Sequence, residues 1–421
     1  MKKILIIYDR SLNHINNIFY FLKAFEKFSK HKIFFFDYNF NKKVDFSYEG
    51  FDCIVLFYSL RLSVQDTSHQ FFEYLKNFNG MKIIFSQDEQ DFMNNLNFII
   101  NKININHVFT PISSDKINLI FQKNSTVKFT SILTSYMNKD FAIKNLIKTS
   151  DRKILISYRG RKEHLRYGSL CYDKYKIGRD VKNYCLKNNI KNIDIDFRNF
   201  SRIYGKKWFN FLNNSKSVLV AETGCNLIDW NNDLKIEIDK LISENNSMSE
   251  NEILNNFLKK REIANLFNSI PPRFFEAVLH KCVPISYKSN YMGLIKPNVH
   301  YLVLDRDCKN LNLIMKKLSD EDFVNSFVQN NYEFFLKQKT FQFENFIKLF
   351  DNEVGLFNYS NKNELIIDRK NDFKDYPLRN HLIVFHNLWS NLPSGLKYII
   401  KFFMPLKLKN KVINVIKKIF F

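Results

Sequence analysis

Arg273, Glu276 and His280 fall at i, i+3 and i+7 in the run Ser269-Ile-Pro-Pro-Arg-Phe-Phe-Glu-Ala-Val-Leu-His280. That spacing puts them on one face of a helix. Arginine meets a phosphate or a carboxylate bidentately, and glutamate accepts hydrogen bonds from hydroxyls such as those of a ribose. Phe274, Phe275, Val278 and Leu279 give the helix an apolar side. Ser269 is expected to cap it, with Pro271 and Pro272 in the first turn, where no amide donor is needed. A surface Arg–Glu pair has the same spacing, so the helix alone does not decide. Arg159-Gly160-Arg161, Lys174 and Glu222-Thr223-Gly224 follow, each in a loop or turn after an apolar run. Arg159, Arg161 and Lys174 are suited to neutralising a diphosphate, and Gly160 and Gly168 to letting the backbone approach one. Asp305-Arg306-Asp307 has the form of a metal-binding Asp-x-Asp, but it reads as a strand-end loop and no metal is expected.

These groups need a scaffold, and the apolar pattern supplies one. Lys3–Tyr8, Lys32–Phe36, Cys53–Tyr58, Lys82–Phe85 and His107–Phe109 are predicted to be buried parallel strands. Helical spacing occupies the intervals, as at 16–28 and 71–78. Repeated β-α-β units imply a doubly wound α/β sheet. The pattern restarts after Ser150, with predicted strands at Lys153–Ser157, Ile193–Phe197, Ser217–Ala221, Cys282–Tyr287 and Tyr301–Leu304. Two Rossmann-like domains are therefore expected, at 1–145 and 152–350. Residues 231–265 are predicted to be a helical insertion near the cleft, and 321–350 a long helix packing back across the boundary. Asp9, His14 and Asp88 occupy loops of the first domain and are candidate proton acceptors.

At 421 residues the chain exceeds what one core usually serves, and 45% hydrophobic content supports two. The net charge of +22 suggests nucleic acid only superficially. Most of that charge is lysine scattered among asparagine, so no nucleic-acid partner is expected. Six widely spaced cysteines, without Cys-x-x-Cys, suit a reduced, cytoplasmic protein. No signal peptide and no membrane span are expected. Residues 376–421 hold eight Lys or Arg and no acidic residue. Their mixture of basic and aromatic positions predicts a helix lying on the inner membrane surface.

The run Ile156-Ser-Tyr-Arg-Gly-Arg161, with Tyr167-Gly168 and Lys174-x-Lys-Ile-Gly178, resembles bacterial GT-B glycosyltransferases of surface-polysaccharide clusters (the group-one-like and CgeB-like sets). So do Arg202-Ile-Tyr-Gly205, Trp208, Glu222-Thr-Gly224 with Asp229, Pro272-Arg-Phe-Phe-Glu-Ala277, Tyr291-Met-Gly293 and His300-Tyr-Leu-Val-Leu-Asp305. The resemblance spans about residues 80 to 310. It implies two domains facing a cleft, with a nucleotide-sugar on the second and no cofactor. It places Glu276 on the ribose, Arg159 and Lys174 on the diphosphate, and Gly160, Arg161, Glu222, Thr223, Gly224, Arg273 and Tyr291 around the donor. The acceptor is expected to be a glycan or lipid-linked precursor of the cell surface. Relatives of the retaining kind carry glutamate eight positions before Glu276, where this chain has Asn268. That substitution leaves open the anomeric outcome, and also a non-catalytic glycan-binding or assembly protein of the same fold.

Overall fold

In the computed structural model, residues 1–357 are described, apart from 39, 41–49, 89, 122–125 and 246. The basic tail at 376–421 lies outside the described residues. The first sheet holds β1 (Lys3–Tyr8), β2 (Lys32–Asp37), β3 (Cys53–Leu56), β4 (Met81–Phe85), β5 (His107–Thr110) and β6 (Lys128–Ser131), in the order β2-β1-β3-β4-β5-β6. The second holds β7 (Ile154–Arg159), β8 (Ile193–Asp196), β9 (Ser215–Leu219), β10 (Val283–Tyr287) and β11 (Leu302–Leu304), in the order β11-β10-β9-β7-β8. All pairings are parallel. This is the expected GT-B architecture, two doubly wound domains facing a cleft.

The two sheets share one winding. In each, the chain runs outward from the first strand to an edge, then crosses back to continue on the other side. The switch points lie between β1 and β3 and between β7 and β9. Ligands of open α/β sheets bind outside the carboxyl ends of strands at such points.

The strands form where apolar residues run without interruption. Ile4, Ile6 and Ile7 are fully buried, as are Cys53, Ile54 and Val55, because helices cover both faces of a parallel sheet. Strand β6, Lys-Phe-Thr-Ser, has no fully buried residue and gave no apolar signal.

The predicted helix at 321–350 is two helices, Glu321–Lys337 and Phe343–Gly355. The Gln342 side-chain amide donates to the Phe335 carbonyl at 2.7 Å, satisfying an acceptor the first helix leaves open at its end. The second helix crosses to the first domain. There Phe343 and Phe350 meet Phe21 and Phe25 edge-on at 5.1 and 4.9 Å. Asp351 accepts from the Ser29 hydroxyl and the Lys30 amide, each at 2.7 Å. The insertion is confirmed as mainly helical, with Asp233–Glu244 as its longest piece. No described helix is long and apolar enough to cross a membrane.

Candidate functional site

A cleft of about 310 Å³ opens where the carboxyl ends of β7 and β9 face the start of helix Asn16–Phe28 in the first domain. Tyr158 and Arg159 close β7, and Thr223 follows β9. Lys174, Arg202, Trp208, Arg273 and Glu276 come from the helices and loops between.

Helix Pro272–Leu279 brings Arg273 and Glu276 to the cleft as expected, but it starts differently. Pro271 is the cap and Pro272 the first residue. Ser269 instead pairs by backbone with Thr223, its amide 2.9 Å from the Thr223 carbonyl. That pairing requires Gly224. Its φ is +115°, and a Cβ there would stand 1.8 Å from the Phe267 carbonyl oxygen.

Arg273 lies between two aromatic rings, 4.7 Å from Tyr158 and 5.3 Å from Trp208, and donates to the Arg159 carbonyl. Glu276 is half-buried on the same wall of the cleft and accepts from the Trp208 indole at 2.8 Å. Burial pushes the Glu276 carboxyl above its usual range, against the pull of Trp208, Arg273 and Asn16. The Asn16 side-chain oxygen also accepts from the Gly205 amide at 3.0 Å. A first-domain residue thus satisfies an open amide at the start of a second-domain helix. His280 leaves the face it was expected to share. It ends the helix fully buried, stacked on Phe209 at 5.0 Å, and burial takes it down to about 4.

Several expected donor contacts are engaged elsewhere. The Arg159 guanidinium makes a bidentate pair with Asp194 at 2.8 and 3.0 Å and covers the Phe211 ring at 4.3 Å. It is therefore committed before any ligand arrives. Gly160 serves the Tyr158 ring, since a Cβ there would lie 2.5 Å from it. Glu222 is 4% exposed, accepts from the Asn290 and Tyr291 amides, and is raised by burial. It holds the left-handed turn at Tyr291 and Met292, with φ of 44° and 56°. Tyr291 itself is fully buried, 2.7 Å from the Ser286 hydroxyl, and does not line the cleft. Arg161 pairs with Glu163 at the rim.

Three cations remain. Lys174, Arg202 and Arg273 line the cleft and form no ion pair with a carboxylate among the described residues. Arg202 rests 5.2 Å from the Tyr204 ring, and burial pulls it below the usual arginine value. Sequence reasoning placed Arg202 in a motif but gave it no role. Its signal was a cation shortly after a strand end, next to the strand that carries Arg159.

The first-domain candidates separate. Asp9 accepts from the Ser11 amide at 2.8 Å and caps a short turn. The His14 ring nitrogen Nδ1 lies 2.9 Å from the Ser11 carbonyl, and its ring meets Tyr204 edge-on. Asp88 is exposed, at φ +64°, and its carboxylate has no hydrogen bond or ion pair among the described residues. It lies within electrostatic reach of Tyr58 on its own domain and of Cys171 on the other. Among the described residues, no group of three or more His, Cys, Asp or Glu is placed to hold a metal ion. All six cysteines are buried thiols.

No protein-family model and no curated protein sequence matches the chain. Among solved structures, it is similar to an alpha-glucosyltransferase in complex with UDP-glucose and DNA containing an abasic site. The identity is 12%, covering 84% of this chain and 99% of that one, with a TM-score of 0.49. It is also similar to Anabaena Alr3699/HepE in complex with UDP and glucose, at 9% identity over 85% and 100%, with a TM-score of 0.49. Against T4 phage beta-glucosyltransferase the identity is 10% over 85% and 100%, with a TM-score of 0.45. Likeness at this level carries no argument about chemistry, which rests on the cleft's own side chains.

Proposed function

We propose that the chain is a glycosyltransferase that moves a sugar from a nucleotide-sugar to an acceptor hydroxyl without a metal. One observation carries this reading: Lys174, Arg202 and Arg273 converge without carboxylate partners at the switch point of the second sheet. Glu163 and Glu276 also line the cleft, but its cations outnumber these carboxylates. Gathering like charges in a half-buried cleft opposes folding, and a dianionic ligand offsets that cost. The ligand is then a nucleoside diphosphate, the leaving group of sugar transfer. As the bond from the anomeric carbon to the diphosphate oxygen breaks, that oxygen keeps the electron pair and the three cations stabilise it. The acceptor oxygen attacks the anomeric carbon, and its proton passes to the Asp88 carboxylate.

The acceptor belongs to the first-domain side, which lines the cleft with Ile15 and the neutral side chains of Asn16 and Asn17. The basic, aromatic composition of 376–421 supports a lipid-linked cell-surface glycan met at the inner membrane face. Calorimetric titration with UDP, GDP, ADP and dTDP, each beside its glucose conjugate, tests the donor site. Binding of one base series at micromolar concentration is expected, and no binding of any would refute the reading. An acceptor panel of lipid-linked glycans and duplex DNA then separates the surface-glycan reading from a nucleic-acid acceptor.

A further inference from the structure

The two domains also meet outside the cleft lining, through a buried ion cluster. The Arg166 guanidinium lies 3.1 Å from Asp91 of the first domain and 3.0 Å from Asp229 of the second. All three side chains are 10% exposed or less. Tyr167 completes the ring, receiving from Arg166 at 2.8 Å and donating to Asp91 at 2.9 Å. Backbone joins the same point. The Asp229 amide donates to the Gln90 carbonyl at 2.7 Å, and the Phe92 amide to the Asp229 carbonyl at 2.8 Å.

This clasp grips the segment that follows Asp88. Phe92 has φ of 55° and Asp88 of 64°, and the Asp91 amide donates to the Asp88 carbonyl at 3.3 Å. A phenylalanine in left-handed backbone persists only where its surroundings over-determine it. A buried ion cluster contributes little net stability compared with apolar side chains of the same shape, so its use here is geometric. We propose that Arg166 is a positioning residue: by clasping Asp91 to Asp229 it fixes the backbone that carries Asp88 against the second domain. The assignment of Asp88 as base rests on the reading above, whereas the clasp itself does not.

The test compares Arg166→Met, Asp88→Asn and the double variant in the full chain. It measures UDP affinity by calorimetry and UDP release from UDP-glucose with water as acceptor (or the base series that the wild type binds). Arg166→Met is expected to bind UDP within about twofold of wild type yet release it at least tenfold more slowly at saturating donor. Arg166→Lys should recover part of that loss, and the double variant should be no slower than Asp88→Asn alone. Multiplied losses in the double variant, a matching loss of UDP affinity, or unchanged turnover would overturn the proposal. If Arg166→Met does not fold, Asp91→Asn takes its place with the same expectation, because it keeps the shape and removes the charge. If the wild type binds no nucleoside diphosphate, the donor reading fails and small-angle scattering decides the clasp. A larger radius of gyration in the variant supports it, and an unchanged one refutes it.

Discussion

Both walls of the cleft stand at the carboxyl ends of parallel strands beside a topological switch point, one at β1 and β3 and the other at β7 and β9. Their polar groups differ sharply. The second-domain wall presents Lys174, Arg202 and Arg273, while the first-domain side presents Asn16 and Asn17. The Asn17 amide nitrogen donates to the Thr134 carbonyl at 2.8 Å and to the Tyr58 hydroxyl at 3.3 Å. One winding thus carries a cationic wall and a wall of neutral amides, and the difference lies in loops of a few residues.

The largest break in this asymmetry should come from Arg273→Met. It removes a charge held between two rings and a bond to the Arg159 carbonyl, and nucleoside diphosphate affinity measured by calorimetry should fall about 100-fold, in line with ~1.5–3 kcal/mol for a charge-assisted bond. Arg202→Met sharpens the comparison because its two effects have opposite sign. Nucleotide affinity should fall about tenfold, while thermal stability without ligand should hold or rise, since the burial of this cation outweighs the pull of Glu163. A drop in stability would show that Arg202 has a structural role instead. Gly160→Ala drives a methyl into the Tyr158 ring and, through it, the Arg273 platform. Overpacking of this kind costs about 1–3 kcal/mol, readable as a shifted urea midpoint together with a several-fold weaker nucleotide. In the first domain, Asp88→Asn should leave nucleotide affinity within about twofold while slowing turnover.

Acid stability gives a smaller contrast. His107 in the first domain and His280 and His300 in the second are each lowered by burial to about 4. The unfolded chain binds their protons near pH 6.5, so the stability they contribute is full above that value and is lost as pH falls toward 4. Glu222 and Glu276, raised by burial, act in the opposite sense. Between pH 7 and 5 the urea midpoint of His280→Gln should therefore fall less, or rise more, than that of the wild type. Equal slopes in both proteins would remove His280 from the account.

Most of the scaffold was legible because a buried parallel strand writes itself as a continuous apolar run, as in Ile4–Ile7 or Ile83–Phe85. Strand β6 was not, since an edge strand with no fully buried residue carries little pattern. That Arg159, Lys174, Arg273 and Glu276 share one cleft was legible too, because they lie on or after elements that end at one edge of the second sheet. Orientation was not. Arg159 turns to Asp194, a residue that strand pairing brings close from 35 positions away. Tyr291 is buried because Glu222 draws its turn inward. Such choices depend on neighbours that spacing along one strand does not show.

The helix Phe343–Gly355 makes the chain cross between domains twice, and the crossings are joined where the Phe343 amide donates to the Met137 carbonyl at 3.2 Å. Two adjacent tethers behave as a hinge pin rather than a string. They favour rotation of one domain against the other about that line and oppose translation or wholesale separation. The same connectivity governs dissection of the molecule. A fragment ending at the linker leaves the rings of Phe21, Phe25 and Phe85 uncovered and is expected to aggregate, whereas the same fragment supplied with residues 343–355 regains its missing surface.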